Sequence, residues 1–201
     1  EKYDLLVVST WRGNIGFQQD VQDTMCSMKI MDQLLAKYLK ENNIKAALIY
    51  REERDSENWS IPEIGLNEEE YYQKIYGNSI EYIETDKTER NIFSLIQQSH
   101  MIVSCLSTAA IEGFGLYKKI LYCNFTNTDL YHQDIDDSIL TTNSDYSDFS
   151  EKITALFQQD QEEYIKDHKE TMQYYMNFGD DPRSVSTQIS QKIDTIVKNF
   201  K

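Results

Sequence analysis

Two prolines and seven glycines in 201 residues leave no Pro-, Gly- or Ser-rich stretch to act as a linker. No internal repeat is visible, so the chain reads as one domain with room for a real hydrophobic core. Cysteine is as scarce. Cys26, Cys105 and Cys123 are odd in number, far apart and embedded in apolar runs, with no CxxC or Cys/His spacing. They read as small core residues of a reducing compartment rather than a disulfide framework or zinc site. His100, His132 and His168 are too scattered to form a ligand set, so no metal is expected. Positive charge is short too, with 20 Lys and Arg against 34 Asp and Glu and a formal net charge of −14. That balance removes any general attraction for nucleic-acid backbones or anionic lipid. No window approaches 18 uninterrupted apolar residues, so no membrane span is expected; residues 1–6 form no secretory h-region, and any native start is expected to lie outside this sequence. Also missing are a Ser/His/Asp order, an HExxH pair and a nucleophile elbow.

What is present is a βα alternation. Short β-rich runs occupy residues 4–9, 45–50, 80–83, 101–104 and 120–124, with a possible sixth at 138–141. Their apolar residues are continuous rather than alternating, which suits strands buried on both faces, as in a parallel sheet. Helical patterns fall between them. Met28, Met31, Leu34, Leu35, Tyr38 and Leu39 follow helical spacing across residues 24–41. Shorter helices are predicted over 68–75, 89–98 and 108–118. The last third reads as helices over 149–157, 162–178 and 182–200, with Gly179 as a stop and Asp181-Pro182 as a start. The prediction is a Rossmann-like α/β core over residues 1–145, with C-terminal helices over 146–201 packing on the same domain. The acidic residues between 129 and 148 follow no cation-loop spacing and read as a solvated loop. The paired tyrosines Tyr71-Tyr72 and Tyr174-Tyr175 read as core or interface.

Ligands of such sheets bind where strands end and helices begin, and three segments fall there. After the fourth strong run, Ser107-Thr108 opens a helix, offering free N–H groups and two hydroxyls to an anion. Glu112, about one turn on, could reach the hydroxyls of a ribose. Gly113 and Gly115 each cost roughly 1 kcal/mol in helix propensity, which implies a packing or binding reason. The same residues also read as a plain N-cap followed by a solvated glutamate. The second segment, Ser9-Thr10-Trp11-Arg12-Gly13-Asn14-Ile15-Gly16, follows the first strand and reads as a phosphate loop or acceptor-facing loop, or as an ordinary loop with a surface arginine. The third is Arg51, whose fork suits phosphate, although Glu52, Glu53 and Asp55 beside it also fit a self-paired surface cluster.

The run Ser107-Thr108-x3-Glu112-Gly113-x5-Lys119-Ile120 resembles the donor-nucleotide segment in C-terminal domains of GT-B-type glycosyltransferases of bacterial surface-carbohydrate synthesis. The resemblance is strong over about 20 residues and looser over the βα order of residues 1–125. It implies that Ser107 and Thr108 meet nucleotide phosphate, with Glu112 on the ribose and Arg51 or Arg12 offsetting charge. It further implies a nucleotide-sugar donor as substrate with no separate cofactor, a glycan acceptor, and a general base on an additional N-terminal lobe of a larger parent chain. A cytoplasmic location is expected, with contact to the inner membrane face through other parts of that chain. Other readings of the residues are a nucleotide-sugar epimerase of the same fold, a flavodoxin-like carrier, and a non-catalytic nucleotide- or protein-binding domain.

Overall fold

The computed structural model describes residues 1–12, 19–61, 65–126, 128, 135–175, 190 and 193. Six parallel strands form the central sheet: β1 (Tyr3–Val8), β2 (Ala46–Ile49), β5 (Glu81–Ile83), β6 (Ser99–Cys105), β7 (Lys119–Cys123) and β8 (Leu140–Thr141). Their order across the sheet is β5-β2-β1-β6-β7-β8. The continuous apolar runs have the predicted cause. Leu5, Leu6 and Val7 of β1 and Met101, Ile102 and Val103 of β6 are fully buried, covered from both sides. In register, Leu6 sits opposite Ile102 and Val7 opposite Val103, while Val8 faces Ile49 of β2. The sheet is therefore Rossmann-like, growing outward in both directions from the β1–β6 pair. Flavodoxin-like sheets place their strands in a different order, so that reading of the chain is set aside.

Right-handed crossovers put the helices in two layers. On one face α1 (Gln19–Glu41) contacts α2 (Glu68–Tyr76) and α5 (Tyr146–Gln158). On the other, α4 (Thr108–Gly115) contacts α3 (Asn91–Gln98) and α6 (Gln161–Tyr175). Strand β6 shows the division: Cys105 Sγ lies 3.0 Å from Ser27 Oγ of α1, whereas Ile102, of opposite parity, lies under α4. α5 also packs on β7, so both described C-terminal helices rest on the core.

Gly113 shows why glycine is tolerated inside α4. A Cβ added there would lie 2.3 Å from Ile102 Cδ1, so the reason is close packing of helix on sheet rather than ligand approach. Gly113→Val is expected to lower stability by roughly 1–3 kcal/mol through overpacking, read as a fall of several degrees in Tm. An unchanged Tm would contradict this close approach.

Some boundaries moved for identifiable reasons. α5 starts at Tyr146 rather than 149 because the Asp145 carboxylate accepts the N–H groups of Ser147 and Asp148 and caps the helix. A small antiparallel pair, β3 (Ser60–Ile61) with β4 (Leu66–Asn67), was not predicted. Asn67 then closes a capping box with Glu70 at the start of α2. Cys105 and Cys123 are buried as expected, but Cys26 is exposed on α1. The predicted helix over 182–200 lies outside the described residues, apart from 190 and 193. No helix among the described residues is long and apolar enough to cross a membrane.

Candidate functional site

Between β1 and β6 the chain turns in opposite directions, because β1 feeds α1 on one face and β6 feeds α4 on the other. Such a switch point leaves a crevice beyond the carboxyl ends of the strands. Here it is a cleft of about 270 Å³, lined by residues that follow four strands: Ser9, Thr10 and Arg12 after β1, Arg51 after β2, Thr85 after β5, and Leu106, Ser107 and Thr108 after β6. Among the described lining residues there is no carboxylate, on a chain that carries 34 of them. Larger hollows lie elsewhere, one of about 870 Å³ between β8 and α5 and one of about 700 Å³ between α1 and α2. The smaller cleft is the candidate because of its chemistry.

Each wall has a local cause. The turn from β6 into α4 passes through Leu106 at φ +57°, a conformation disfavoured for a leucine. Ser107 follows in extended backbone as the N-cap, and its Oγ accepts the Ala109 N–H at 3.2 Å. Thr108, the first helical residue, is exposed at the cleft's edge. The amino end of α4 therefore faces the cleft with its share of the helix dipole.

Across the cleft, Arg51 is clamped. Its Nη1 donates to the Trp11 carbonyl at 3.0 Å, and its Nε stands 3.5 Å from Glu52. Burial first, then the neighbouring charge of Arg12, lowers its proton affinity. Two guanidiniums thus share a partly buried space whose described lining holds no carboxylate. Glu52 takes a second cation, Lys87, at 2.9 Å, and Arg54 turns away to Glu69 and Glu84. Of the acidic neighbours of Arg51, Glu52 is ion-paired, and Glu53 accepts the Lys87 N–H, while Arg51 itself also borders the cleft.

Two hydroxyls of the cleft lining, those of Thr10 and Tyr50, are buried without a hydrogen-bond partner among the described residues, and Thr10 is the one beside Arg12. Thr10 is 4% exposed, and its Oγ1 is buried with no hydrogen-bond partner among the described residues. Buried hydroxyls without partners carry a free-energy penalty and call for an explanation. Here the residue borders a cleft suited to an anion.

Ser9 has a different place from the one its position suggested. Its hydroxyl donates to Glu68 Oε1 at 2.5 Å and accepts from Tyr72 OH at 2.9 Å and from the Trp11 N–H at 3.1 Å. Glu68, fully buried at the start of α2, also accepts the N–H groups of Arg51 at 2.8 Å and Glu52 at 3.0 Å. One carboxylate thereby ties the exits of β1 and β2 together. Burial raises its pKa to about 7, outweighing the hydrogen bonds that favour the anion. Glu68→Gln should loosen this tie, because an amide cannot accept all three bonds, and a urea titration should show a loss of about 1–3 kcal/mol at pH 5, where both side chains are neutral.

Of the residues the sequence singled out, Ser9, Thr10, Arg12, Arg51, Ser107 and Thr108 border one cleft. Glu112 sits on the next turn of α4, partly exposed, and is not among the lining residues. Gly13 lies outside the described residues. Thr85 and Glu68 were missed. Among the described residues no cluster of His, Cys, Asp and Glu could hold a metal ion. No protein-family model, curated protein or solved structure matches this chain.

Proposed function

We propose that the chain is the donor-binding lobe of a GT-B-type glycosyltransferase, holding the phosphate of a nucleotide-activated sugar in the cleft between β1 and β6. The observation that carries this reading is Thr10 Oγ1, without a partner among the described residues, beside two guanidiniums and a helix amino end in a cleft whose described lining holds no carboxylate. Phosphate oxygens would accept from Thr10 and from both arginines, and Ser107 and Thr108 would meet the phosphate at the α4 terminus. As the bond from sugar to phosphate breaks, negative charge grows on the departing nucleotide, and the same donors stabilise it there. Glu112, one turn further along, keeps the ribose contact that the resemblance implies. The glycan acceptor and the base that takes its proton belong to the additional lobe.

The test is a thermal-shift screen against CMP, UDP, CDP, GDP, ADP and FMN, with and without magnesium. One nucleotide should stand out, stabilising by about 2.7 kcal/mol at a hundredfold excess over its Kd. A response to FMN alone, or to none of the six, would contradict the reading.

A further inference from the structure

On the face of the sheet away from α4, a trough of about 700 Å³ runs between α1 and α2 and shares no lining residue with the cleft. Its floor is apolar: Met25 and the buried Ala36 from α1, then Leu66, Tyr71 and Ile75 from β4 and α2. Four exposed lysines stand on its rim, Lys29, Lys37 and Lys40 along α1 and Lys74 opposite on α2. Among the described lining residues there is again no carboxylate. Lys37 is 4.0 Å from Glu41 and lies 3.6 Å above the Tyr146 ring. Lys29, Lys40 and Lys74 have no ion-pair partner among the described residues.

On a chain with a net charge of −14, four lysines gathered around an apolar floor form a local inversion of the surface field. The lysines at 40 and 74 sit in last helical turns, where a cation complements the helix dipole. Lys29 and Lys37 lie mid-helix, where the dipole gives no such reason. The residues from Met25 to Lys40 follow one stripe of α1 over about four turns, or ~22 Å.

We propose that this trough docks an acidic amphipathic helix of a partner protein. An apolar stripe on that helix would fill the floor, and Asp and Glu flanking the stripe would meet lysines on both rims. A lipid surface fits less well. Insertion needs apolar side chains standing proud of the surface, whereas here they lie below the lysines. The large apolar residues exposed among the described residues, Tyr117, Tyr174 and Ile193, are not on this rim. The net charge also repels anionic headgroups. The inference is independent of the nucleotide reading, since it uses none of the same residues.

The probe is a fluorescent designed peptide of about 18 residues, with leucines at helical spacing and glutamates flanking them, titrated into the full chain. A companion peptide carries lysine in place of glutamate. The acidic peptide should bind, and its affinity should fall roughly tenfold between low and high salt. Combined Lys29→Glu, Lys40→Glu and Lys74→Glu should weaken it by roughly tenfold or more, with Tm and nucleotide response unchanged. Equal binding of both peptides, or no binding of either, overturns the proposal. Binding to vesicles of phosphatidylcholine with phosphatidylglycerol in place of the acidic peptide overturns it in favour of a membrane surface.

Discussion

Thr10→Val is expected to raise the melting temperature of the free protein while weakening nucleotide binding. Valine keeps the shape of threonine and removes an Oγ1 that is buried and has no partner among the described residues. Relief of that orphaned group is worth about 1 kcal/mol, or a few degrees in Tm for a chain of this size. The ligand, in contrast, loses a hydrogen bond to a charged oxygen, about 1.5–3 kcal/mol, which is roughly a 10- to 100-fold rise in Kd. Opposite signs are the signature of a group kept for a ligand rather than for the fold. Arg51→Ala should weaken binding over a similar range, and Arg51→Lys should recover only part of it, because lysine lacks the fork. Should Thr10→Val lower Tm in differential scanning calorimetry, the hydroxyl would be serving the fold and its link to a ligand would fail.

The second large effect concerns Asp32, which has no ion-pair partner among the described residues. It is fully buried on α1, accepting from Tyr71 OH at 2.9 Å and Tyr76 OH at 2.6 Å. Burial raises its pKa from 3.8 to about 7, with the two tyrosine hydrogen bonds opposing the rise. The folded chain therefore holds this proton more tightly than the unfolded chain does. The stabilisation this brings is complete below about pH 4 and is lost as pH climbs through 7. Glu68, raised to about 7 from 4.5, acts in the same sense. Asp136 and Asp160, whose pKa values are lowered by hydrogen bonds, act in the opposite sense as pH falls. Asparagine mimics the neutral acid, so Asp32→Asn should be more stable than the parent at pH 8 by on the order of 2–4 kcal/mol. Near pH 4 the two should converge. Urea titrations across pH 4–8 at constant m-value read this directly. A gap that does not change with pH would show that Asp32 does not titrate there.

Much of the architecture was legible because it rests on local signals. Leu5-Leu6-Val7 and Ile102-Val103 are unbroken apolar runs, and only a strand covered on both faces has use for them. Ser107 precedes a helical pattern and caps it, and Gly113 marked a close approach that proved to be Ile102. What stayed hidden depends on which groups tertiary structure removes from water. Glu68, Glu69 and Glu70 are consecutive and chemically alike, yet only Glu68 is drawn under the exits of β1 and β2. Asp32 lies within a helix whose apolar stripe gives no sign that a carboxylate will face two tyrosines. Thr85 comes to the cleft because β5 pairs in parallel with β2 and so ends on the same side of the sheet, and strand order is not written in any single segment. The β3–β4 pair is too short to leave a periodicity.

The most direct test of the account follows backbone amide chemical shifts of the isotope-labelled chain as the best-ranked nucleotide is added. The account predicts that the largest changes fall on Thr10, Arg12, Arg51, Thr85 and the residues opening α4, Ser107 to Ala109. These should saturate with one Kd and weaken together in Thr10→Val. Saturable changes confined to the trough between α1 and α2, or to the hollow between β8 and α5, would place the ligand elsewhere and contradict the assignment of the switch-point cleft.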